Sequence, residues 1–527
     1  MKRRDFLKIT APAVTLPSIL GGYSVKALGE NSSLARLMGM GTETDHVLVI
    51  VQLQGGNDGL NMIVPLDQYS KYFNARNNIA IPEAKVLRLN GYTKAGLHPA
   101  MTGMQSLYNE GKLNIVQAVG YPKPNFSHFR ATDIWMSASE STEYVNTGWT
   151  GRYLNNQYPD FPNGYPNATM PDPLGIQIGS LTSLNFQGPQ ISMGMSISNP
   201  NTFYNLVNGV QDPAPPTPAG KELTYVRLIA QQTQQYATVI KDAAARVTSQ
   251  LTYPTPNSLA DQLKIVARLI GGGLRTRVYM VSYGSFDTHA TQVNTTDTVT
   301  GTHANLLKNV SDAIKAFQDD LKALGVEEKV MGVTFSEFGR RIKSNGSSGT
   351  DHGAAAPLFV FGKNAIGGVT GETPVLPTTA TVNDNVAFQY DFRSIYASIL
   401  ENWFCADNTD LQTVLLRNFQ SLPLVNGANC KAPIVPESTV GNSVLKNYPN
   451  PFAINTTIEF KTNGGHTLIQ ILDTSGRVIA VPLEKVYPAP AFDKIVFNGE
   501  RLSLGTYYIR LQNGSVSHVK VMLKVNY

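Results

Sequence analysis

Five short apolar runs constrain this chain more than any other feature. Residues 46–53, 113–119, 278–282, 330–335 and 358–361 are rich in β-branched or other apolar side chains and keep no consistently polar face. Strands of that kind are buried on both sides, as in a parallel sheet covered by helices. Between the third and fourth runs, Leu306, Leu307, Val310, Ile314, Phe317, Leu321 and Leu324 recur at helical spacing, and Gly325 supplies a stop. Strand, helix and strand in that order predict a right-handed crossover. The expected fold class is α/β, a doubly wound sheet with helices on both faces, in one large domain over residues 45–431.

Residues 158–218, rich in Pro, Asn, Gly and Ser, hold no sustained period and predict long surface loops that could form a lid. The Gln- and Ala-rich stretch 222–251 predicts helix. At 432–446 the chain turns into a Pro, Ser and Asn connector, which marks a domain boundary. Beyond it, alternating runs such as 467–472 and 507–511, separated by Gly, Asn and Pro turns, predict a small all-β antiparallel sandwich over 447–527.

That C-terminal segment carries Asn447-Tyr448-Pro449-Asn450-Pro451-Phe452, Thr456-Thr457-Ile458-Glu459-Phe460, Asp473-Thr474-Ser475-Gly476-Arg477, Leu504-Gly505-Thr506-Tyr507-Tyr508 and a closing strand from Lys520 to Lys524. In order and spacing it resembles the sorting domain of type IX secretion cargo. The resemblance implies the type IX secretion machinery as a partner, and a protein that is secreted or held at the cell surface.

The opposite end supports export. Lys2-Arg3-Arg4-Asp5-Phe6-Leu7-Lys8 precedes a modestly apolar stretch, 9–20, interrupted by Thr10, Pro12 and Pro17. That is far short of the roughly twenty residues a membrane span needs, so residues 1–27 read as a signal peptide. The paired arginines resemble a twin-arginine signal, which implies the twin-arginine translocase and passage through the periplasm before the outer membrane is crossed; a plain secretory signal is the alternative. Removing 1–27 takes away Lys2, Arg3, Arg4, Lys8 and Lys26 together with Asp5, so the formal charge of +5 falls to about +1. The basic balance thus belongs to the targeting peptide and gives no reason to expect nucleic-acid binding. In an exported chain the two cysteines, Cys405 and Cys430, read as one disulfide.

In doubly wound sheets ligands bind where strands end, so the residues after each run carry the chemistry. The first run leads to Gly55-Gly56-Asn57-Asp58-Gly59-Leu60-Asn61 and the third to Ser285-Phe286-Asp287-Thr288-His289, with His303 starting the next helix. The fourth leads to Ser336-Glu337-Phe338-Gly339-Arg340-Arg341, and Gly349-Thr350-Asp351-His352-Gly353 stands just before the fifth. Carboxylates and imidazoles gathered from several strand ends suit a divalent ion such as Zn, Mn, Mg or Ca. Each has an ordinary alternative: Asp58 could hold a tight turn, His303 could start a helix, and Glu337 could pair with Arg340.

These stretches, together with Ser127-His128-Phe129, resemble the DUF1501 family, a domain of unknown function related to sulfatases within the alkaline phosphatase superfamily. The resemblance implies an alkaline-phosphatase-like sheet with a metal site at its carboxyl edge. Carried over, it implies metal ligation by Asp58, Asp287, His289 and His352, and Asp351 is a further candidate ligand. Where relatives place an adjacent Asp-His pair, this chain has Glu337-Phe338, and phenylalanine cannot ligate, so Asp351 or His303 substitutes or a second metal is lost. Ser127, ahead of the helix that begins near Phe129, is the candidate nucleophile, with a helix-capping role as its alternative. His128 or Arg130 could contact an anionic substrate, Glu337 could bind or orient ligands, and Arg340 or Arg341 could neutralise the substrate anion. No Cys-x-Pro-x-Arg sequence is present, which argues against a standard sulfatase. The expected function is an exported metal-dependent hydrolase of phosphate or sulfate esters, acting on a small anionic ester or a polysaccharide. The alternative is an inactive cell-surface binding protein on the same fold.

Overall fold

The computed structural model describes residues 44–198, 236–427, 430, 445–462, 464–473, 478–513 and 516–525. The signal peptide and nearly all of the connector lie outside the described residues. The described residues divide into two compact units, one within 42–430 and one within 431–527.

In the first unit the main sheet is built from β1 (Val47–Leu53), β2 (Leu113–Gly120), β3 (Gly175–Ile178), β4 (Gly194–Ile197), β5 (Val278–Tyr283), β6 (Val330–Phe335), β7 (Ala356–Phe361), β8 (Gly368–Thr370) and β9 (Tyr390–Asp391). Its order is β8-β2-β7-β6-β1-β5-β3-β4, with β9 also on β2. β1 runs parallel to both β5 and β6, from Leu48 beside Val278 and Val47 beside Val330.

The expected all-parallel arrangement needs one correction. β7 runs antiparallel to both β2 and β6, with Ala356 beside Val119 and Val360 beside Val333. An apolar run buried on both faces gives no sign of its direction, and this reversal is what brings the start of β7 to the edge where its neighbours end.

The helices are α1 (Tyr69–Arg76), α2 (Thr102–Asn109), α3 (His128–Ser137), α4 (Trp149–Gln157), α5 (Ser258–Gly271), α6 (Thr302–Ala323), α7 (Phe392–Asn402) and α8 (Asn408–Leu415). Val47, Val49 and Val51 turn to a core that includes Leu107 of α2, Leu263 of α5 and Val310 and Ile314 of α6. Leu48 and Ile50 point the other way, into a core with Ile134 of α3, Leu154 of α4, Ile395 of α7 and Val414 of α8. Side chains alternate across a strand, so β1 supplies both cores at once and helices cover both faces.

The 158–218 stretch, expected as loops, contains β3 and β4, strands of four residues each and too short to impose a period. Of the predicted 222–251 helix, the described part is helical over 236–246. Cys405 and Cys430 form a disulfide. No helix among the described residues is long and apolar enough to cross a membrane.

The second unit contains two antiparallel sheets. One pairs Leu445–Tyr448, Asn455–Thr462 and Ala491–Asn498; the other pairs Val478–Tyr487, Gly465–Leu472, Gly505–Asn513 and Val516–Lys524. Alternate residues of both, among them Ile458, Phe460, Ile469, Ile471, Ile509 and Leu511, fill one core.

Candidate metal centre

The loops that end β1, β2, β5 and β6 meet the segment entering β7. Two glycines allow the close approach. A Cβ on Gly55, whose φ is +121°, would stand 2.4 Å from the Asp287 nitrogen, and one on Gly56, φ +73°, would stand 2.2 Å from the Phe338 ring. The excursion between β6 and β7 folds back as a small antiparallel ribbon that sets Arg340 opposite His352.

Asp287 is the hub. Its Oδ1 accepts from Arg340 Nη2 at 2.6 Å and lies 3.3 Å from His352 Nε2 and 3.2 Å from His289 Nε2, while Oδ2 lies 3.5 Å from His128 Nε2. Among the described residues, His128, Asp287 and His352 form the group whose ligand atoms all lie within 4.8 Å of one another. His289 stands beside them, its Nδ1 3.1 Å from Asp351 Oδ1.

The rear contacts set which ring nitrogen is free. His352 Nδ1 lies 2.8 Å from the carbonyl oxygen of Phe126, which can only accept. His128 Nδ1 lies 2.8 Å from Glu337 Oε1, which also receives the Gly55 N–H at 2.8 Å. In their neutral forms both rings therefore carry the proton on Nδ1 and turn an Nε2 lone pair toward Asp287. Two lone pairs and a carboxylate repel each other unless a proton or a cation lies among them, and the donor set is of a kind that fits a metal ion. Phe338, buried behind the rings, packs against His128 and His352 with centroids 4.9 and 4.5 Å away.

Electrostatics favours the metal-binding forms of Asp287 and His352. Partial burial pulls the Asp287 carboxyl upward, but the hydrogen bond and charge of Arg340, with His289 and His352, hold it below the usual carboxylate range. Burial lowers His352, as does the charge of Arg340, against the opposing pull of the Phe126 carbonyl. Asp351 is lowered too, because Asn345 and His289 outweigh its desolvation.

Several expected residues have other positions. Asp58 does not join the cluster: it is buried, and Arg76 Nη1 reaches its two oxygens at 2.8 and 2.7 Å. His303 is buried with Nε2 2.9 Å from Asn57 Oδ1. Arg340, expected as a substrate contact, is buried and donates to the carbonyls of Gly55, Gly56, Phe286 and Thr350 as well as to Asp287. It rivets three loops together. Arg130 donates to the carbonyls of Glu140, Ser141 and Glu143 and lies over Tyr144. Arg341 stays half-buried, its Nε on the His352 carbonyl at 2.9 Å and its guanidinium over Phe126. Ser127 occupies the position ahead of α3, is exposed, and makes no side-chain cap. Sequence reasoning missed Arg76, because an arginine at the end of a short helix reads as a solvated charge, and it missed the Phe126 carbonyl, for which no side-chain signal exists.

A family model described as "Protein of unknown function (DUF1501)" matches residues 45–402. The chain belongs to the DUF1501 family. A second model, "Secretion system C-terminal sorting domain", matches residues 446–524 of this DUF1501 protein. A type IX sorting tail of this kind indicates handling by that machinery and secretion to the cell surface or beyond. No curated protein matches the chain. Among solved structures, the DUF1501 chain is similar to a protein in the alkaline phosphatase superfamily from Vibrio parahaemolyticus, with 9% identity over 92% of this chain and 83% of that one and a TM-score of 0.31. It is similar also to a sulfatase from Pseudoalteromonas sp., with 11% identity, 93% and 88% coverage and a TM-score of 0.33. A putative sulfatase from Bacteroides thetaiotaomicron gives 8%, 90%, 85% and 0.28 in the same terms. Likeness this loose carries no functional argument, and the reading that follows rests on the site itself.

Proposed function

We propose that this DUF1501 protein is an exported metal-dependent hydrolase of phosphate or sulfate esters. The observation that carries the reading is the convergence of two Nε2 lone pairs, from His128 and His352, on the Asp287 carboxylate. A divalent ion held there supplies Lewis acidity toward an ester oxygen. Two nitrogens and one oxygen suit Zn better than Mn, Mg or Ca, which favour oxygen ligands.

The remaining roles belong to the chain. Glu337 fixes His128 from behind, as the Phe126 carbonyl fixes His352. His289 is held by Asp351 at Nδ1, so its other nitrogen can exchange a proton in a site that is partly open to solvent. Ser127, between Phe126 and His128, keeps its hydroxyl available as the nucleophile. Arg341, rather than the buried Arg340, is the arginine able to pair with the substrate anion. Export through the twin-arginine translocase and the periplasm completes the proposed route.

The test is turnover of small aryl phosphates and sulfates with Zn, Mn, Mg and Ca in turn, beside Asp287→Asn and His352→Ala. Metal-dependent turnover that both variants lose supports the reading. Absence of turnover with every ion would leave a cell-surface binding protein on the same fold.

A further inference from the structure

Two aspartates follow main-sheet strands at the same edge, Asp58 after β1 and Asp287 after β5, and their surroundings are opposite. Asp287 is half exposed and faces three imidazole nitrogens. Asp58 is 1% exposed, both of its oxygens are taken by Arg76 Nη1, and Oδ2 accepts again from Gln292 Nε2 at 2.6 Å. Arg76 is no better placed to leave. It is fully buried, and it donates from Nε to the Ile342 carbonyl at 3.0 Å, from Nη2 to the Arg341 carbonyl at 2.6 Å and from Nη1 to Asn61 Oδ1 at 3.2 Å.

We infer that the centre holds a single metal ion, because the Arg76 guanidinium, pinned against both oxygens of Asp58, is a built-in cation that closes this aspartate to metal. The inference rests on the metal-centre reading above and adds the number of ions and the fate of Asp58. A guanidinium does not lose its proton in proteins, so no pH change vacates the place. An ion entering at Asp58 would leave a buried guanidinium unpaired, the costliest outcome for a buried pair. Charge is already balanced one to one, and Gln292 and Asn61 satisfy the remaining hydrogen-bonding positions without adding charge. His303 has its Nε2 on Asn57 and its Nδ1 without a partner, and one imidazole nitrogen beside a carboxylate already paired with a guanidinium is too few donors for a second ion.

The experiment counts ions on the full chain by elemental analysis and by Cd-113 NMR of cadmium-loaded protein. It compares wild type with the double variant Asp58→Asn, Arg76→Gln, which removes both charges together, and with Asp287→Asn. The expected result is one ion and one resonance in wild type. The double variant should also bind one ion, with affinity changed by less than about 3-fold, whereas Asp287→Asn should lose more than about 100-fold. Two ions or two resonances in wild type overturns this inference and leaves the metal centre standing. So does loss of the ion from a double variant that keeps its circular dichroism. If the double variant does not fold, the wild-type count and resonance number decide. No ion in wild type overturns the metal-centre reading, and this inference with it.

Discussion

Phe338 governs how the imidazoles are held, and it does so only because Gly56 has no side chain. The ring lies behind both His128 and His352, and a methyl group on Gly56 would overlap it. Gly56→Ala is therefore expected to cost about 1–3 kcal/mol in urea denaturation and to weaken metal uptake in the same protein, since the displaced ring is the wall behind two ligands. The buried histidines predict a pH response. Burial pushes His303 down to about 4, against the partial offset of Asp58, and burial with the charge of His303 pushes His98 down to about 3. Both folded values lie below the ordinary 6.5, so between pH 6.5 and 3 the unfolded chain binds more protons than the folded one. Their contribution is complete above pH 6.5 and is lost as the pH falls toward 4 and then 3. Denaturation midpoints measured from pH 7 to 4 should fall, and less steeply in a His98→Gln variant that remains folded. At this scale the side chains that the structure gathers at one edge stand in the sequence after an apolar run, as Asp287, His289 and Glu337 do, or before one, as Asp351 and His352 do. The contacts of Asp58, Arg76 and Arg340 had no such mark. Their roles depend on partners such as Ile342, far along the chain, and nothing local marks an arginine as buried.

β7 shows what an element can hide. Its run, Ala-Pro-Leu-Phe-Val-Phe, is as apolar as that of a parallel strand, so its burial was legible and its direction was not. Direction is set by the path between β6 and β7, which returns at once instead of crossing a face through a helix. Because of that return, one loop delivers Glu337, Arg340, Asp351 and His352 to the same edge. β3 and β4 escaped notice for a different reason, since each is a strand of four residues among prolines and glycines. The longest helix, α6, was clearer. It is tied to α5 by Asn257, whose side-chain oxygen caps α5 at Leu259 and Ala260 and whose amide donates to the Asn309 carbonyl of α6 at 2.8 Å. Asn257→Ala is expected to lower stability by about 1–2 kcal/mol, read as a shift in the denaturation midpoint with metal binding unchanged.

Each of the two units of the whole chain has its own core, one set around the main sheet and the other around Ile458, Phe460, Ile469 and Ile509. A chain ended after Cys430 should accordingly keep the metal uptake and thermal midpoint of the α/β unit. It should also fail to reach the surface or the medium, since the sorting signal lies in what was removed; fractionation of cells producing the two forms checks both halves. The composition puts a Pro- and Asn-rich connector at 432–446, and the compact units divide between 430 and 431. The disulfide gives that boundary a mechanical character. A machine that draws this protein outward by its tail applies its pull at residue 431, next to Cys430, and the covalent bond passes the tension directly to Cys405, just beyond the end of α7. Residues 406–429 lie off that load path. Under such a pull, α8 and the turns between the two cysteines cannot be unpicked from the end that is being drawn.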